Sequence, residues 1–183
     1  MARVPYLDHT TLAPQDRELV WRRGNLYMAL ANSPEFTARF AQFGFYMNCA
    51  SQIDYRMQKM VILTVASLVK SQFEWSAHVM QSTEMGLLTP EEIRALQFHQ
   101  LDTVDSFSEK ERFAAKFAYE LVTTRAVTDA TYAGLLSLSS DGYVVEISGL
   151  VGMYLGLAHI ISALKIDVAD EHLHWLDKYP LSQ

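Results

Sequence analysis

The sequence predicts an all-α protein, a single-domain bundle of about seven or eight helices. Apolar residues recur at intervals of three and four along most of the 183-residue chain, which is the period of an amphipathic helix. Several Ser/Thr-x-x-Glu boxes, which start helices, precede these stretches. No stretch alternates at period two as a strand would. Half of the residues are hydrophobic, so the chain can bury a sizeable core.

The amino-terminal end is predicted to be an extended arm. Residues 1–14 contain two prolines and no clear period, whereas a helical period begins at Gln15. The helical domain is therefore predicted over residues 15–183. Its first helix is expected over residues 15–31.

The next two helices are predicted from their starting residues. Ser33 precedes Pro34, a residue suited to the first position of a helix, and a mostly aromatic stripe follows. A third helix is expected from Asp54 to about Leu68. Its run at Val61 and Ile62 also fits a short strand, but the polar residues around it do not alternate, which favours a helix.

The later helices have clearer starts. Capping boxes at residues 89–92 and 108–111 begin two of them, and Thr128 or Asp129 caps another that ends near Ser140. A short helix is expected at residues 169–176. The chain between residues 71 and 86 forms one more helix, which carries the candidate site.

The most apolar segment covers residues 142–164 and is long enough to span a bilayer. Gly149, Gly152 and Gly156 dilute its hydrophobicity, and no Lys/Arg asymmetry flanks it. We therefore predict a central helix buried on all sides, with glycines that permit close approach of neighbours and an oligomer interface as part of the cover. No membrane partner is expected.

Charge and cysteine usage exclude several functional classes. The formal net charge is −6 and no basic cluster occurs, which argues against nucleic-acid and polybasic membrane-surface partners. The lone Cys49 cannot form a disulfide within the chain, which suits a reducing compartment. The first residues lack the apolar core of a signal peptide, so a cytoplasmic location is expected.

The candidate site lies on the helix that starts at Ser71. Glu74 and His78 are one turn apart and share a helix face, a common acid–base arrangement. Phe73 and Trp75 stand beside them and can supply an apolar wall. Alternatively, Ser71 and Glu74 form a plain capping box, in which the carboxylate bonds back to the Ser71 backbone and does no chemistry.

Other polar residues are candidates to join Glu74 and His78 in this site. Lys59 can approach Glu74 or a bound carboxylate if two helices pack antiparallel, although a solvated lysine is the more ordinary interpretation. Glu74 and His78 can also be two metal ligands, with His172 and His174 as candidates for a third. We expect no metal and no cofactor.

The remaining candidates have ordinary explanations. Cys49 is interpreted as a small buried hydrophobe, with a reactive thiol as the alternative. His99, His159 and Glu146 fall in or beside apolar helices and are interpreted as core polar residues.

One motif resembles a known family. Phe73-Glu74-Trp75-x-x-His78, followed by Ser82, Gly86-Leu87 and Glu91-Glu92-Ile93, is similar to the carboxymuconolactone decarboxylase family, which is related to the alkylhydroperoxidase D-like proteins. The resemblance extends over about residues 17–164. It implies an all-helical alkylhydroperoxidase D-like fold, frequent assembly into trimers or hexamers, and a functional histidine.

Two departures from the family pattern stand out. Where the peroxidase branch carries Cys-x-x-Cys, this chain has Ser71 and Glu74, so a dithiol peroxide cycle is not available. Where many members carry a glutamate before the histidine, this chain has Lys59, preceded by Arg56. Either Lys59 binds a substrate carboxylate, or the site is not a decarboxylase of the familiar kind.

The resemblance implies a cofactor-independent enzyme for a small carboxylated or lactone-type metabolite. His78 is expected to act as acid and base, and Glu74 to orient it. The expected substrate-binding residues are Lys59, Arg56, Ser71, Phe73, Trp75 and Ser82. Two alternatives remain: a peroxide-reducing protein, for which only Cys49 is available, and a non-catalytic oligomeric binding protein. A homo-oligomer, trimer or hexamer, is expected.

Overall fold

The fold is entirely helical in the described part of the chain. A computed structural model describes residues 2–20 and 24–181, which form nine α-helices and three short 3-10 helices and contain no strand. The predicted fold class is confirmed. The nine α-helices slightly exceed the predicted seven or eight, and the short 3-10 helices were not foreseen.

The α-helices are numbered in chain order, and the 3-10 helices are named by their residues. The α-helices are α1 (Gly24–Leu30), α2 (Pro34–Cys49), α3 (Tyr55–Leu68), α4 (Gln72–Glu84), α5 (Pro90–Phe98), α6 (Glu109–Thr124), α7 (Asp129–Ser137), α8 (Asp141–Leu164) and α9 (Leu173–Lys178). The 3-10 helices are Pro14–Val20, Leu101–Thr103 and Asp170–His172.

The predicted helix starts have a physical cause in the structure. The side chains of Asp54 and Thr128 each accept a hydrogen bond from the backbone N–H three residues later. Thr89 and Ser108 form complete capping boxes with the glutamates three residues after them. Val61 and Ile62 lie inside α3, so the strand alternative is wrong.

The first predicted helix is wrong as a single element. Residues 15–31 contain the end of the 3-10 helix Pro14–Val20 and then α1, and residues 21–23 lie outside the described chain. Gly24 has φ of +61°, a left-handed value that a continuous right-handed helix cannot contain. The arm before these helices bonds to the folded domain: Leu7 N–H donates to the Met28 carbonyl.

Helix α3 is the centre of the fold. Residues 57–67 are all buried, and α3 packs against α4, α5, α6 and α8. One hydrophobic cluster joins α3 to α1, α6 and α8, and a second joins it to α4, α5 and α9. Because α3 has no solvent face over this stretch, any polar residue in it must find partners inside the protein.

Helix α8 is half buried, which corrects the prediction of burial on all sides. It is long and apolar enough to cross a membrane, and 50% of its most apolar window is buried inside the described protein. Core helices can have the same length and composition. Its outer face carries Val145, 70% exposed, and Gly149, Gly152 and Gly156, at which an added Cβ would meet nothing within 4 Å.

Candidate active site

The α3–α4 hairpin creates the candidate site. The two helices are joined by a short turn at residues 69–71 and pack side by side. Lys59 on α3 and His78 on α4 are 19 residues apart in sequence, and the hairpin brings Lys59 Nζ to 3.1 Å from His78 Nδ1. The two helices therefore pack antiparallel, the condition under which Lys59 was expected to approach the Glu74–His78 pair.

His78 also contacts Glu74, so its ring lies between two charged groups. The distance from His78 Nε2 to Glu74 Oε2 is 3.2 Å. We call Lys59, His78 and Glu74 the proton line. All three are buried, with exposed fractions of 1%, 7% and 4%.

The capping-box alternative for Ser71 and Glu74 is wrong in its second half. Ser71 Oγ accepts from the Glu74 N–H at 3.5 Å, so Ser71 caps α4. The Ser71 N–H, however, donates to the Ala66 carbonyl at 2.9 Å instead of the Glu74 carboxylate. The Glu74 side chain is directed to His78.

Lys59 uses every donor that an ammonium group has. Its Nζ contacts His78 Nδ1 at 3.1 Å and donates to Gln81 Oε1 at 2.7 Å, and it lies 4.3 Å from the centre of the Tyr55 ring. The solvated-lysine interpretation is wrong, because α3 presents no solvent face at this position.

Burial shifts the acid–base properties of all three groups. It raises the pKa of Glu74 to about 7, although Lys59 opposes the shift. It lowers the pKa of Lys59 to about 8, although Glu74 opposes the shift. Burial, and then the charges of Lys59 and His172, hold the pKa of His78 well below its ordinary value. The imidazole is therefore neutral at neutral pH.

A neutral imidazole lets the line exist in two proton arrangements of equal net charge. In one, the Lys59 ammonium donates to Nδ1 and the Nε2–H donates to the Glu74 carboxylate. In the other, Nδ1–H donates to a neutral Lys59 amine and protonated Glu74 donates to Nε2. Moving one proton at each ring nitrogen interconverts them. Burial raises the pKa of Glu74 and lowers the pKa of Lys59, and both shifts favour this exchange.

Aromatic side chains shield the line. Tyr154 on α8 meets the His78 ring edge-on, with 5.2 Å between the ring centres. Burial and the Glu74 charge raise the pKa of Tyr154, so its phenol stays protonated. Tyr55 covers Lys59 from the other side.

Arg56 lies one turn before Lys59 but is held by carboxylates of other helices. Its guanidinium contacts Glu92 on α5 at 2.7 Å and Glu111 on α6 at 2.6 Å. Hydrogen bonding to Glu92 raises the pKa of Arg56. Burial opposes ionisation of Glu92, yet Arg56, Ser106 and the Thr89 backbone together lower the pKa of Glu92 to about 2. We call Arg56, Glu92 and Glu111 the Arg56 node. It joins three helices, and it leaves Arg56 no free pair of N–H donors for a substrate carboxylate.

The other predicted substrate-binding residues have mixed positions. Trp75 is fully buried in the second hydrophobic cluster, and its indole N–H donates to the Tyr179 carbonyl at 2.8 Å. Ser82 is also fully buried, and its hydroxyl donates to the His78 carbonyl at 2.7 Å. Phe73, half buried, lines an open cleft together with Ser71. Their substrate-binding roles stay predictions.

Three clefts of about 420 to 610 Å³ open on the described residues, and none is lined by the proton line. The cleft of about 520 Å³ beside Ser71 and Phe73 lies at the N-terminal end of α4, the helix that carries Glu74 and His78. We call it the α4 cleft.

The metal and cysteine alternatives receive no further support. Within residues 2–20 and 24–181, no three His, Cys, Asp or Glu side chains converge on a possible metal position. The charge of His172 acts on His78, but these residues do not complete a ligand set. Cys49 is exposed at the end of α2, so its interpretation as a buried hydrophobe is wrong.

Sequence reasoning missed Gln81, Tyr55 and Tyr154. Gln81 lies three residues after His78 and Tyr55 four before Lys59, so helical spacing could have identified both. Tyr154 comes from α8, and no spacing rule connects it to α4.

The comparisons with known proteins agree with this fold. Residues 34–120, from the start of α2 into α6, match the model of the carboxymuconolactone decarboxylase family. This segment is 87 of the 183 residues, and over it the chain is similar to that family. The resemblance seen in the sequence is confirmed, and the matched family segment contains the whole proton line. No curated protein matches.

Solved structures share the fold at low sequence identity. A peroxidase-related protein from Ralstonia eutropha JMP134, described as an alkylhydroperoxidase AhpD core, has a TM-score of 0.78 and 15% identity, with 96% of this chain and 95% of that chain covered. The debrominase Bmp8, as a cysteine-to-alanine variant in complex with 2,3,4-tribromopyrrole, has a TM-score of 0.72 and 16% identity, with 90% of this chain and 86% of that chain covered. At these identities the likeness shows the fold alone.

Proposed function

We propose that this protein is a cofactor-independent acid–base enzyme of the carboxymuconolactone decarboxylase family, acting on a small carboxylated or lactone-type metabolite. The observation that carries the proposal is the proton line, in which His78 lies within 3.2 Å of Glu74 and 3.1 Å of Lys59. Buried groups with pKa values near 7 and 8 are suited to giving and taking protons at neutral pH.

The reaction consists of loss of carbon dioxide followed by protonation. The carbon–carboxylate bond breaks, carbon dioxide leaves, and the electron pair moves into the unsaturated lactone of the substrate. The line then delivers one proton to the resulting carbanion, and solvent returns one proton to the line. A cofactor is not required for this balance, because the substrate itself accepts the electrons.

The residues have distinct roles in this proposal. His78 passes the proton, and Glu74 is the proton donor at one end of the line. Lys59 is the reservoir at the other end, since its donors already meet His78, Gln81 and Tyr55. This replaces the expectation that Lys59 binds the substrate carboxylate.

The test is carbon dioxide release from carboxymuconolactone by the wild type and by His78→Ala and Glu74→Gln. Each variant is expected to lose roughly 10²- to 10⁴-fold in kcat, the usual worth of a positioned acid or base. His99→Gln is the matched control, because burial also lowers the pKa of His99 but this residue lines another cleft. Full turnover in His78→Ala would remove the proposal.

A structural role for the line is the second candidate, favoured by its closure. Glu74, His78 and Lys59 are at most 7% exposed and satisfy one another. In that case the wild type and variants have equal, negligible turnover, and only the free energy of unfolding changes. Urea unfolding measured beside the turnover assay separates the two candidates.

A peroxide-reducing activity has only Cys49 to serve it, and that thiol is exposed. Mass spectrometry after treatment with hydrogen peroxide is the test. An unmodified Cys49 together with no peroxide consumption would eliminate this alternative.

We also propose a homo-oligomer, a trimer or hexamer. Helix α2 has three buried residues, Thr37, Gly44 and Met47, but exposes four large aromatic side chains: Phe36, Phe43, Phe45 and Tyr46. Tyr46 donates to Glu146 at 2.6 Å, so this surface continues onto the glycine face of α8.

Sedimentation of the wild type should give a trimer or hexamer, and the variant Phe45→Glu should dissociate it into monomers. A monomeric wild type would contradict the proposal. The cytoplasmic location stays a prediction.

A further inference from the structure

The α4 cleft lies beside the candidate site, and the proton line does not use it. It lies between the α3–α4 turn, the last two turns of α8 and the segment that follows α8. Its volume of about 520 Å³ is that of a small-molecule site.

Two unpaired cations line the cleft. Lys70 lies in the α3–α4 turn and Lys165 follows α8, and both residues are exposed. In the part of the chain that the structure describes, neither ammonium group has an ion pair, a side-chain hydrogen bond or a ring contact. Both residues have left-handed backbones, with φ of 54° and 51°, where glycine is the more favourable residue. Lysine at both positions supplies charge that the fold itself does not require.

The start of α4 adds two free donors to these cations. The Glu74 and Trp75 N–H groups bond to the Ser71 side chain and carbonyl. The N–H groups of Gln72 and Phe73, which line the cleft, donate to no described residue. The positive end of the 13-residue helix α4 is therefore open to the cleft.

The negative end of α8 adjoins the same cleft but is neutralised. Its last carbonyl groups accept from Lys165 N–H, Ile166 N–H and both the backbone N–H and the guanidinium of Arg3. A bound anion would therefore not face bare carbonyl oxygens. The cleft offers positive charge and N–H donors with no competing negative end.

Apart from Ser71, Gln72 and Ser162, the rest of the cleft wall is apolar. Phe73, Ile161, Val168 and Leu181 contribute, so an inorganic anion would leave much of the wall uncovered. A carboxylate attached to an apolar ring or short chain would bind the lysines and N–H groups with its charge and cover the apolar side chains with its ring or chain.

The cleft and the proton line both lie along the contact between α4 and α8. Tyr154, which touches His78, shares a face of α8 with the cleft residues Ala158 and Ile161. Seven residues of helix span about 10 Å. A ligand in the cleft is thus about one ligand length from His78.

We propose that the α4 cleft binds a small organic carboxylate with an apolar ring or chain, its carboxylate held by Lys70, Lys165 and the Gln72 and Phe73 N–H groups. That this occupant is the substrate rests on the proposed function. The binding itself does not depend on turnover.

The binding test uses benzoate, with benzamide and inorganic phosphate as comparison ligands. Calorimetry should give saturable benzoate binding, at least tenfold tighter than that of benzamide or phosphate. Amide NMR shifts should centre on Gln72 and Phe73. Equal binding of benzamide would refute the role of charge, and equal binding of phosphate would refute the role of the apolar wall.

The variants are Lys70→Asn and Lys165→Asn, because asparagine tolerates the left-handed backbone. The double variant is expected to raise the benzoate Kd at least tenfold. Arg125→Asn is the matched control, a cation in the same backbone conformation at the end of α6, away from the cleft. An unchanged Kd in the lysine variants would refute the inference.

Turnover separates the two proposals. His78→Ala should keep benzoate binding and lose carbon dioxide release from carboxymuconolactone. Lysine-dependent binding without wild-type turnover would refute the proposed function and leave the cleft as an anion site. Wild-type turnover with an unchanged KM in the lysine double variant would refute the cleft as the substrate site.

Discussion

Arg56 and Lys59 leave the same helix one turn apart, and each belongs to a cluster that contains a glutamate carboxylate, yet the two clusters differ in kind. Arg56 bonds directly to Glu92 and Glu111 at 2.7 and 2.6 Å. Lys59 reaches Glu74 only through a neutral imidazole. The pKa of Glu92 is lowered to about 2, whereas that of Glu74 is raised to about 7.

The difference shows which effect dominates in each place. Direct bidentate contact with a guanidinium outweighs desolvation and fixes the charges of the Arg56 node. At the proton line, burial outweighs the more distant attraction, so protons can move. One cluster is built to hold the helices together, and the other is suited to proton exchange.

The largest effect is expected from Arg56→Met. It leaves Glu92 and Glu111 without their cation, which costs about 3–5 kcal/mol when a buried pair is broken. Arg39→Met is the control, since its ion pair with Glu35 is exposed and worth about 0–1 kcal/mol. Urea unfolding measures both variants. Equal losses would contradict the distinction between the node and an ordinary surface pair.

The proton line should show a smaller and pH-dependent effect through Lys59. Its pKa is about 8 in the folded protein and 10.5 in the unfolded chain, so the unfolded chain binds more protons between these values. Stability should therefore rise from pH 8 to pH 10, by up to about 3 kcal/mol from this group. Lys59→Met should abolish the rise in urea midpoints, and a rise that persists would assign it to another group.

Glu74 and His78 should cancel each other below neutral pH. Between about pH 4.5 and 6.5 the folded protein holds one proton on Glu74 and the unfolded chain holds one on His78, so their net slope is near zero. His78→Asn removes one side of this balance. Its stability should then fall, by up to about 3 kcal/mol, as pH rises from 4.5 to 7.

The matched variant Glu74→Gln should have the opposite slope. Its stability should decrease as pH falls below 6.5, because only the unfolded chain can then charge its histidine. Parallel pH profiles for the two variants would contradict the exchange of the proton between these residues.

The smallest effect concerns Lys70, a cation without a partner. Lys70→Gly should raise the free energy of unfolding by about 1 kcal/mol, because glycine has no penalty at φ of 54°. Arg125→Gly should be stabilised to a similar extent. A destabilised Lys70→Gly would mean that the side chain has a structural contact.

Local signals predicted much of this fold and part of the site. Thr89 and Ser108 start helices through bonds to residues three positions away, so their signal lies in adjacent sequence. The Glu74–His78 pair follows from helical spacing in the same way. The family resemblance could also be recognised from this stretch alone.

The rest depended on tertiary packing. A lysine on a helix is ordinarily solvated, and only the enclosure of α3 by four other helices makes Lys59 a buried partner of His78. The apolar composition of α8 indicated the central helix, but that position belongs to α3, whose buried Lys59 finds its partners inside the protein. The α4 cleft combines three distant segments, and no spacing rule connects them.

The ring of His78 has a polar contact at each nitrogen, so its two nitrogens can report spectroscopically on the proton arrangement of the proton line. A half-turn about its Cβ–Cγ bond would break the contacts to Lys59 and Glu74 together. Nδ1 therefore stays next to Lys59, and Nε2 stays next to Glu74. Their nitrogen-15 resonances differ according to which one carries hydrogen. A titration of carboxylate into the protein can therefore be followed by spectroscopy at a buried ring, without any reaction taking place.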